Sequence, residues 1–289
     1  MEKVTGLTYE RAVASLVLSP AGLSHSFFDR DDIMTRRFAV GHNRGEDGTL
    51  SIGRLWRRSR GDNPGGGIAT SAADVLRWAR FHLGDGVPGV LPAEVLRQMR
   101  EPTTALRGSS LGEAIGIGWF LREIDGVRAA GHGGSANGQF AELLLVPERD
   151  FAVVALCNEG PDGIPFNQEV VRWALQEYLG ITERAPEPLP FDEARAREVA
   201  GRYENEVMTF TVGINGAAVR MEVRIKPEIR AAADKEPPPD PAPMDLGLLP
   251  RDEYIVTDGE YAGQRGFFSR DESGAVTGVD LAGRLASRV

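Results

Sequence analysis

The sequence is short of several things that would declare a chemistry or a habitat. It has a single cysteine, Cys157, so no internal disulfide can form, and the thiol reads as a packed side chain after a buried strand. No eighteen apolar residues run together, so no membrane-spanning helix is expected. The first six residues hold no basic stretch followed by an apolar one, so no signal peptide is expected in this chain and the compartment stays open. Positive charge is scarce: 33 Lys and Arg stand against 42 Asp and Glu, a net −9, which argues against a general nucleic-acid binder. The lysines are Lys3, Lys226 and Lys235 alone. His25, His42, His82 and His132 share no metal-ligand spacing with one another or with Cys157 and read as surface histidines, so neither metal nor cofactor is expected.

What is present reads as a two-part globular chain. At 289 residues, 42% apolar, there is material for about two domains. Residues 1–182 suggest an α/β (α+β) unit, an antiparallel sheet flanked by helices. Thr8 can cap a helix carrying Tyr9, Val13, Leu16 and Val17 on one face, with Pro20 as its stop. Ser71 with Asp74 is a capping-box pattern ahead of the stripe Val75, Leu76, Ala79 and Leu83. Pro92 opens a further helix, and another runs from about Asn167 to Leu179 with Gly180 as its cap. Ile115, Ile117, Trp119 and Leu121 alternate as one half-buried strand. Phe140–Val146 and Phe151–Leu156, joined by a short polar turn, suggest an antiparallel hairpin.

Pro186, Pro188 and Pro190 mark a linker over residues 183–200. From 201 to 289 the pattern suits a small all-β module. Val219, Met221, Val223 and Ile225 alternate with charged residues just after the hairpin signal Asn215-Gly216. The run from Pro237 to Pro243 reads as a loop.

The segment Gly131-His132-Gly133-Gly134-Ser135-Ala136-Asn137-Gly138-Gln139 is nearly free of bulky side chains and lies just before a buried strand. Glycine there lets a ligand or another backbone come close. On spacing alone, a Gly-rich turn bearing a surface histidine explains it as well. Arg54, Arg57, Arg58 and Arg60 around Trp56 read as a solvated loop, and Gly65-Gly66-Gly67 lacks the ending of a phosphate loop.

The order of several segments resembles the serine β-lactamase and penicillin-binding-protein superfamily, in its class C β-lactamase-like branch. Pro20-Ala21-Gly22-Leu23 resembles that branch's P-L-G-M segment. Pro64 to Asp74 resembles its P-A-G-G-L-x-S-T-A-x-D helix entry, and Gly116-Ile117-Gly118-Trp119 its G-x-G-W strand. Gly131-His132-Gly133-Gly134 is similar to the third catalytic motif, K-T-G or H-x-G, and Asn158 to the end of the L-x-N strand. The resemblance covers residues 1–182, and the tail from Gly201 resembles, more weakly, a barrel-like module attached to such enzymes.

The resemblance implies acyl transfer through a serine in S-x-x-K, helped by a tyrosine in Y-x-N. It implies that His132 helps bind substrate or move protons. Ser135 would contribute a backbone N–H to the oxyanion hole, and Gly133, Gly134 and Asn137 would line the substrate. Small ester, amide or peptide substrates are then expected ahead of β-lactams, because a neutral histidine anchors a carboxylate less well than lysine. No specific protein partner is implied.

The sequence departs from the family where the chemistry starts. No lysine has a serine three residues before it, and Tyr203-Glu204-Asn205, the one Y-x-N, lies in the β module. A partial β-lactamase/transpeptidase-like fold is therefore expected, the C-terminal portion of a hydrolase whose nucleophile and base lie upstream of Met1. A catalytically inactive relative serving as a binding module, or without function, is the other reading.

Overall fold

A computed structural model describes residues 1–45, 47–54, 59–85, 89–232, 239–259 and 261–289. Lys235, Trp56, Arg57, Arg58, Pro237 and Pro238, named above, lie outside the described residues. The chain divides into two compact units, residues 1–104 with 114–183, and residues 105–113 with 184–289.

The first unit is built on an antiparallel sheet. Its principal strands are β1 (Phe120–Ile124), β2 (Val127–Ala136), β3 (Gln139–Val146) and β4 (Phe151–Cys157), laid side by side in that order, with β4 at one end. β3 and β4 form the expected hairpin, Val146 opposite Phe151 and Phe140 opposite Cys157. Their apolar runs have a simple cause, because each face of the sheet is covered by a helix. On one face α2 (Gly163–Leu179) buries Val171 and Leu175 against Ile124, Ala129, Leu144 and Val146. On the other, α1 (Ala72–Arg80) buries Ala79 with Trp119, Ala130, Leu143 and Leu145. Capping follows the sequence: the Ser71 Oγ accepts from the Asp74 N–H at 3.2 Å, and Gly180 closes α2 at φ 69°.

Several expectations need correction. Residues 115–121 are not one strand. Ala114–Ile115 folds back on Phe120–Leu121, and Gly118 at φ 76° makes the turn that leaves Ile117 exposed and Trp119 buried. Residues 131–136 are not a turn but the second half of β2. The helix after Thr8 keeps α geometry only over Tyr9–Val13 and then widens into a π-type turn, Ala14–Leu18.

In the second unit eight strands, from Gly201–Glu204 to Arg284–Arg288, close into a barrel. Part of the span read as a linker is structured. Residues Glu193–Val199 form α3, capped by Asp192, whose Ala196 and Val199 join the barrel core. Three prolines disguised an amphipathic turn beginning just after them. The interior is filled by Tyr203, Phe210, Met221, Met244, Tyr254 and Phe268, all fully buried. The Tyr203 hydroxyl donates to the Val199 carbonyl and the Tyr254 hydroxyl to the Asp280 carbonyl, both at 2.6 Å. The hairpin signal at 215–216 works one residue late: Asn215 pairs with Ala218, and Gly216 and Ala217 form the loop.

His82 overturns the surface-histidine reading. It is completely buried, edge-on to Trp78, Phe81 and Trp119 with ring centroids 4.4–5.2 Å away, and neither ring nitrogen has a partner. Burial, with a smaller contribution from Arg100, lowers its pKa to about 4. The unfolded chain takes up the proton near pH 6.5 and the folded chain only near 4, so stability is lost as pH falls through that window. Thermal melts should therefore show about 2–3 kcal/mol lost between pH 7 and 4.5 from this residue, at 1.36 kcal/mol per pKa unit. In His82→Phe that pH dependence should be largely abolished; an unchanged slope would refute the assignment.

Candidate active-site strand

The four residues singled out in the H-x-G segment lie together. His132, Gly133, Gly134 and Ser135 occupy the distal half of β2, all exposed. On one side they pair with β3: His132 faces Leu143, Gly133 faces Glu142 and Ser135 faces Phe140. On the other side β1 reaches only to Phe120, opposite Gly131. No strand among the described residues pairs with that side of His132–Ala136. The result is a short extended edge with no strand neighbour on that side among the described residues, its Gly133 carbonyl already met by the His132 ring.

The His132 ring lies 5.2 Å from the Phe120 ring, with its Nδ1 2.6 Å from the Gly133 carbonyl oxygen. It stands at the open edge rather than in a deep pocket. A cleft of about 940 Å³ elsewhere in this unit is lined by Thr8, Glu10, Phe27, Asp31 and Arg60 among others, and no residue of 131–139 borders it.

Asn137 is placed differently from the other four. With Gly138 it forms the two-residue turn between β2 and β3, at φ 50° and 76°, the left-handed geometry that Asn-Gly pairs favour. Its carbonyl oxygen is packed against the main chain at Gly41 and Gly53: a Cβ on Gly41 would lie 2.0 Å from it and one on Gly53 2.6 Å. A Cβ on Gly138 would sit 2.4 Å from the His42 carbonyl oxygen. The hairpin tip is thus pinned by backbone lying directly on backbone.

Sequence reading passed over Glu142, which sits opposite Gly133. A Cβ on Gly133 would come within 2.5 Å of the Glu142 Oε2, so the missing side chain makes room for this carboxylate. Its side chain is 16% exposed and lies 3.8 Å from the Arg122 guanidinium, which also reaches Glu183 at 3.4 Å. Burial raises the Glu142 pKa, partly offset by Arg122 and His132. The signal was available: Glu142 is the one charged residue in the otherwise apolar run Phe140–Val146. Cys157 is half-buried, its thiol directed to the Glu159 carbonyl at 3.8 Å. Among the described residues no group of three His, Cys, Asp or Glu is arranged to hold a metal, and no helix is long and apolar enough to cross a membrane.

A sequence model of the Beta-lactamase family matches residues 1–174. Penicillin-binding protein 4 of Amycolatopsis lactamdurans is 34% identical over 223 residues, covering 71% of this chain and 56% of that protein. The chain therefore spans about half the length of this relative. Among solved structures, that of SurE with D-Leu superposes at a TM-score of 0.66 and 21% identity, covering all of this chain and 64% of SurE. The octameric penicillin-binding protein homologue from Pyrococcus abyssi gives 0.56 at 20% identity, covering 99% of this chain and 61% of that one. Both structural likenesses concern the fold.

The pinned tip gives a direct test. Gly138→Ala combines a strained φ with a clash against main chain and should cost about 1–3 kcal/mol in urea unfolding. Gly134→Ala, with open space around it, should cost less than about 1 kcal/mol. Equal effects would contradict the backbone contact.

Proposed function

The chain belongs to the beta-lactamase family, and from that membership we propose that it supplies the substrate-edge half of a serine hydrolase acting by acyl transfer. The observation that carries this reading is the side of His132–Ala136 that no strand among the described residues pairs with, and the exposed imidazole at its start. An ester, amide or peptide can lie along that edge as a partial extra strand, its main-chain groups meeting those of β2. In this reading the Ser135 N–H donates to the carbonyl oxygen as it becomes an oxyanion, and Gly133 and Gly134 keep the edge clear. His132 contacts the substrate or relays a proton, its imidazole able to donate at one ring nitrogen and accept at the other. The relative's name points to penicillins and SurE was solved with D-Leu. Both are compatible with a carbonyl substrate next to a stereocentre, and histidine in place of lysine favours esters and amides.

The serine nucleophile and its activating lysine and tyrosine are proposed to come from residues outside these 289. Within the chain no serine stands three residues before a lysine, and Tyr203-Glu204-Asn205 belongs to the barrel unit. Ser135 is not proposed as a substitute, because no lysine or tyrosine is placed by motif to activate it.

Two measurements test this. The 289-residue chain alone should show no burst with nitrocefin, p-nitrophenyl esters or D-amino-acid amides and no labelling by a fluorophosphonate; labelling of Ser135 would overturn the assignment. In a polypeptide that also carries S-x-x-K and Y-x-N, Ser135→Ala should leave kcat/KM within a factor of about three, since only its N–H is used. Ser135→Pro, which deletes that donor, should lower kcat by about 10²–10³.

A further inference from the structure

We propose that His82 is an acid-operated latch: protonation of its ring frees the turn that carries it from Trp119 and so loosens the start of β1 beside His132. The latch is a property of the first unit's fold and stands whether or not the edge at His132–Ala136 takes a substrate.

The ring sits where a positive charge has nothing to meet. Trp78, Phe81 and Trp119 surround it, and neither ring nitrogen has a hydrogen-bond partner. An imidazolium needs an acceptor at both nitrogens, and a buried charge without one is costly. The charges on the elements packed around it are engaged elsewhere. On α1, Asp74 accepts from the Ser26 hydroxyl and from Arg77, and Arg80 reaches Asp150. On the helix Ala93–Gln98, Glu94 pairs with Arg97. The sheet offers this core Leu143, Leu145, Ala152 and Val154, which carry no charge. The charge that acts on the ring is Arg100, whose guanidinium donates to the His82 carbonyl oxygen and repels a second cation; Glu101 beside it is exposed.

What the ring holds in place is local. It rides on a π-type turn, Phe81–Asp85, an uncommon departure from α geometry that continues α1 and contains Gly84 at φ 123°. From the cage two routes lead to the substrate edge. Trp119 directly precedes Phe120. Next to Arg100, the Met99 carbonyl accepts from the Ile117 N–H at 2.8 Å, and the Ile115 carbonyl accepts from the Thr103 N–H at 2.9 Å. Ile115 pairs with Phe120, Phe120 pairs with Gly131, and the Phe120 ring lies 5.2 Å from that of His132. The core under α2 is a separate cluster on the opposite face of the sheet, so the cage can open without emptying it.

The direction follows from where the proton binds. In the opened turn the ring meets water and titrates near its ordinary value of about 6.5, whereas the closed cage resists protonation until about pH 4. The open form therefore takes up the proton first, and its population should rise about fiftyfold between pH 7 and pH 4.5.

Deuterium uptake by the 289-residue chain, corrected for the chemical exchange rate at each pH, tests this without any need for activity. The amides of 80–83, Ile117 and Phe120 should exchange about fiftyfold faster at pH 4.5 than at pH 7. At both pH values they should exchange at least about tenfold faster than the amides of 171–175, the mark of an opening that leaves the α2 core in place. In His82→Phe, or in His82→Leu should phenylalanine overfill the cage, the acid increase should fall to within about threefold. Equal rates at 80–83 and 171–175 would show that the unit opens only as a whole and would overturn the latch, as would an acid increase that persists without His82. Fast exchange at 80–83 with Ile117 and Phe120 as slow as 171–175 would overturn the coupling to the edge.

Discussion

The site region depends on one close approach, that of the β2–β3 turn to the main chain of Gly41, His42 and Gly53. Glycine at 41, 53 and 138 removes three β-carbons that would otherwise collide with carbonyl groups. Without that contact the distal half of β2 would be a two-stranded ribbon held only along β3, and such ribbons are marginal in water. With it, the edge from His132 to Ala136 is held extended while no strand among the described residues pairs with its far side. The glycines thus serve rigidity and access together.

Electrostatics on this strand follow from the same economy of side chains. Gly133 leaves the space into which Glu142 folds, so a carboxylate is kept beside the strand in partial burial, balanced by Arg122, for which Glu183 competes. The ion pair at 3.8 Å is loose, and desolvation outweighs it, which is why the carboxyl is shifted upward rather than downward. A side chain at position 133 would push this carboxylate toward water and disturb the charge balance beside His132.

Much of this was legible from the sequence because it rests on local chemistry. Ser71, Gly180, the β3–β4 hairpin and the barrel strand at 218–225 all declare themselves through capping, turn or alternation. The misreadings share a cause: tertiary contacts decided where local pattern was ambiguous. Gly118 turned an apparent strand into a hairpin, and the prolines before α3 hid a helix that the barrel core then claimed. His82 looked like any surface histidine until three aromatic rings from separate positions closed around it. Within the site, the family resemblance picked out the Gly-rich segment, but spacing alone left a turn open, and none could reveal that Asn137 turns its carbonyl toward Gly41, a contact across nearly a hundred residues.

The phenols inside the eight-stranded barrel carry a separate implication. Each is already spent on a main-chain acceptor, Tyr203 on Val199 and Tyr254 on Asp280, and the rings occupy the lumen. Evicting either to admit a lipophilic guest would strand a buried acceptor, a penalty of about 1–3 kcal/mol before any packing loss. Among the described residues the barrel interior is packed with side chains, so a guest there would have to displace one of these phenols.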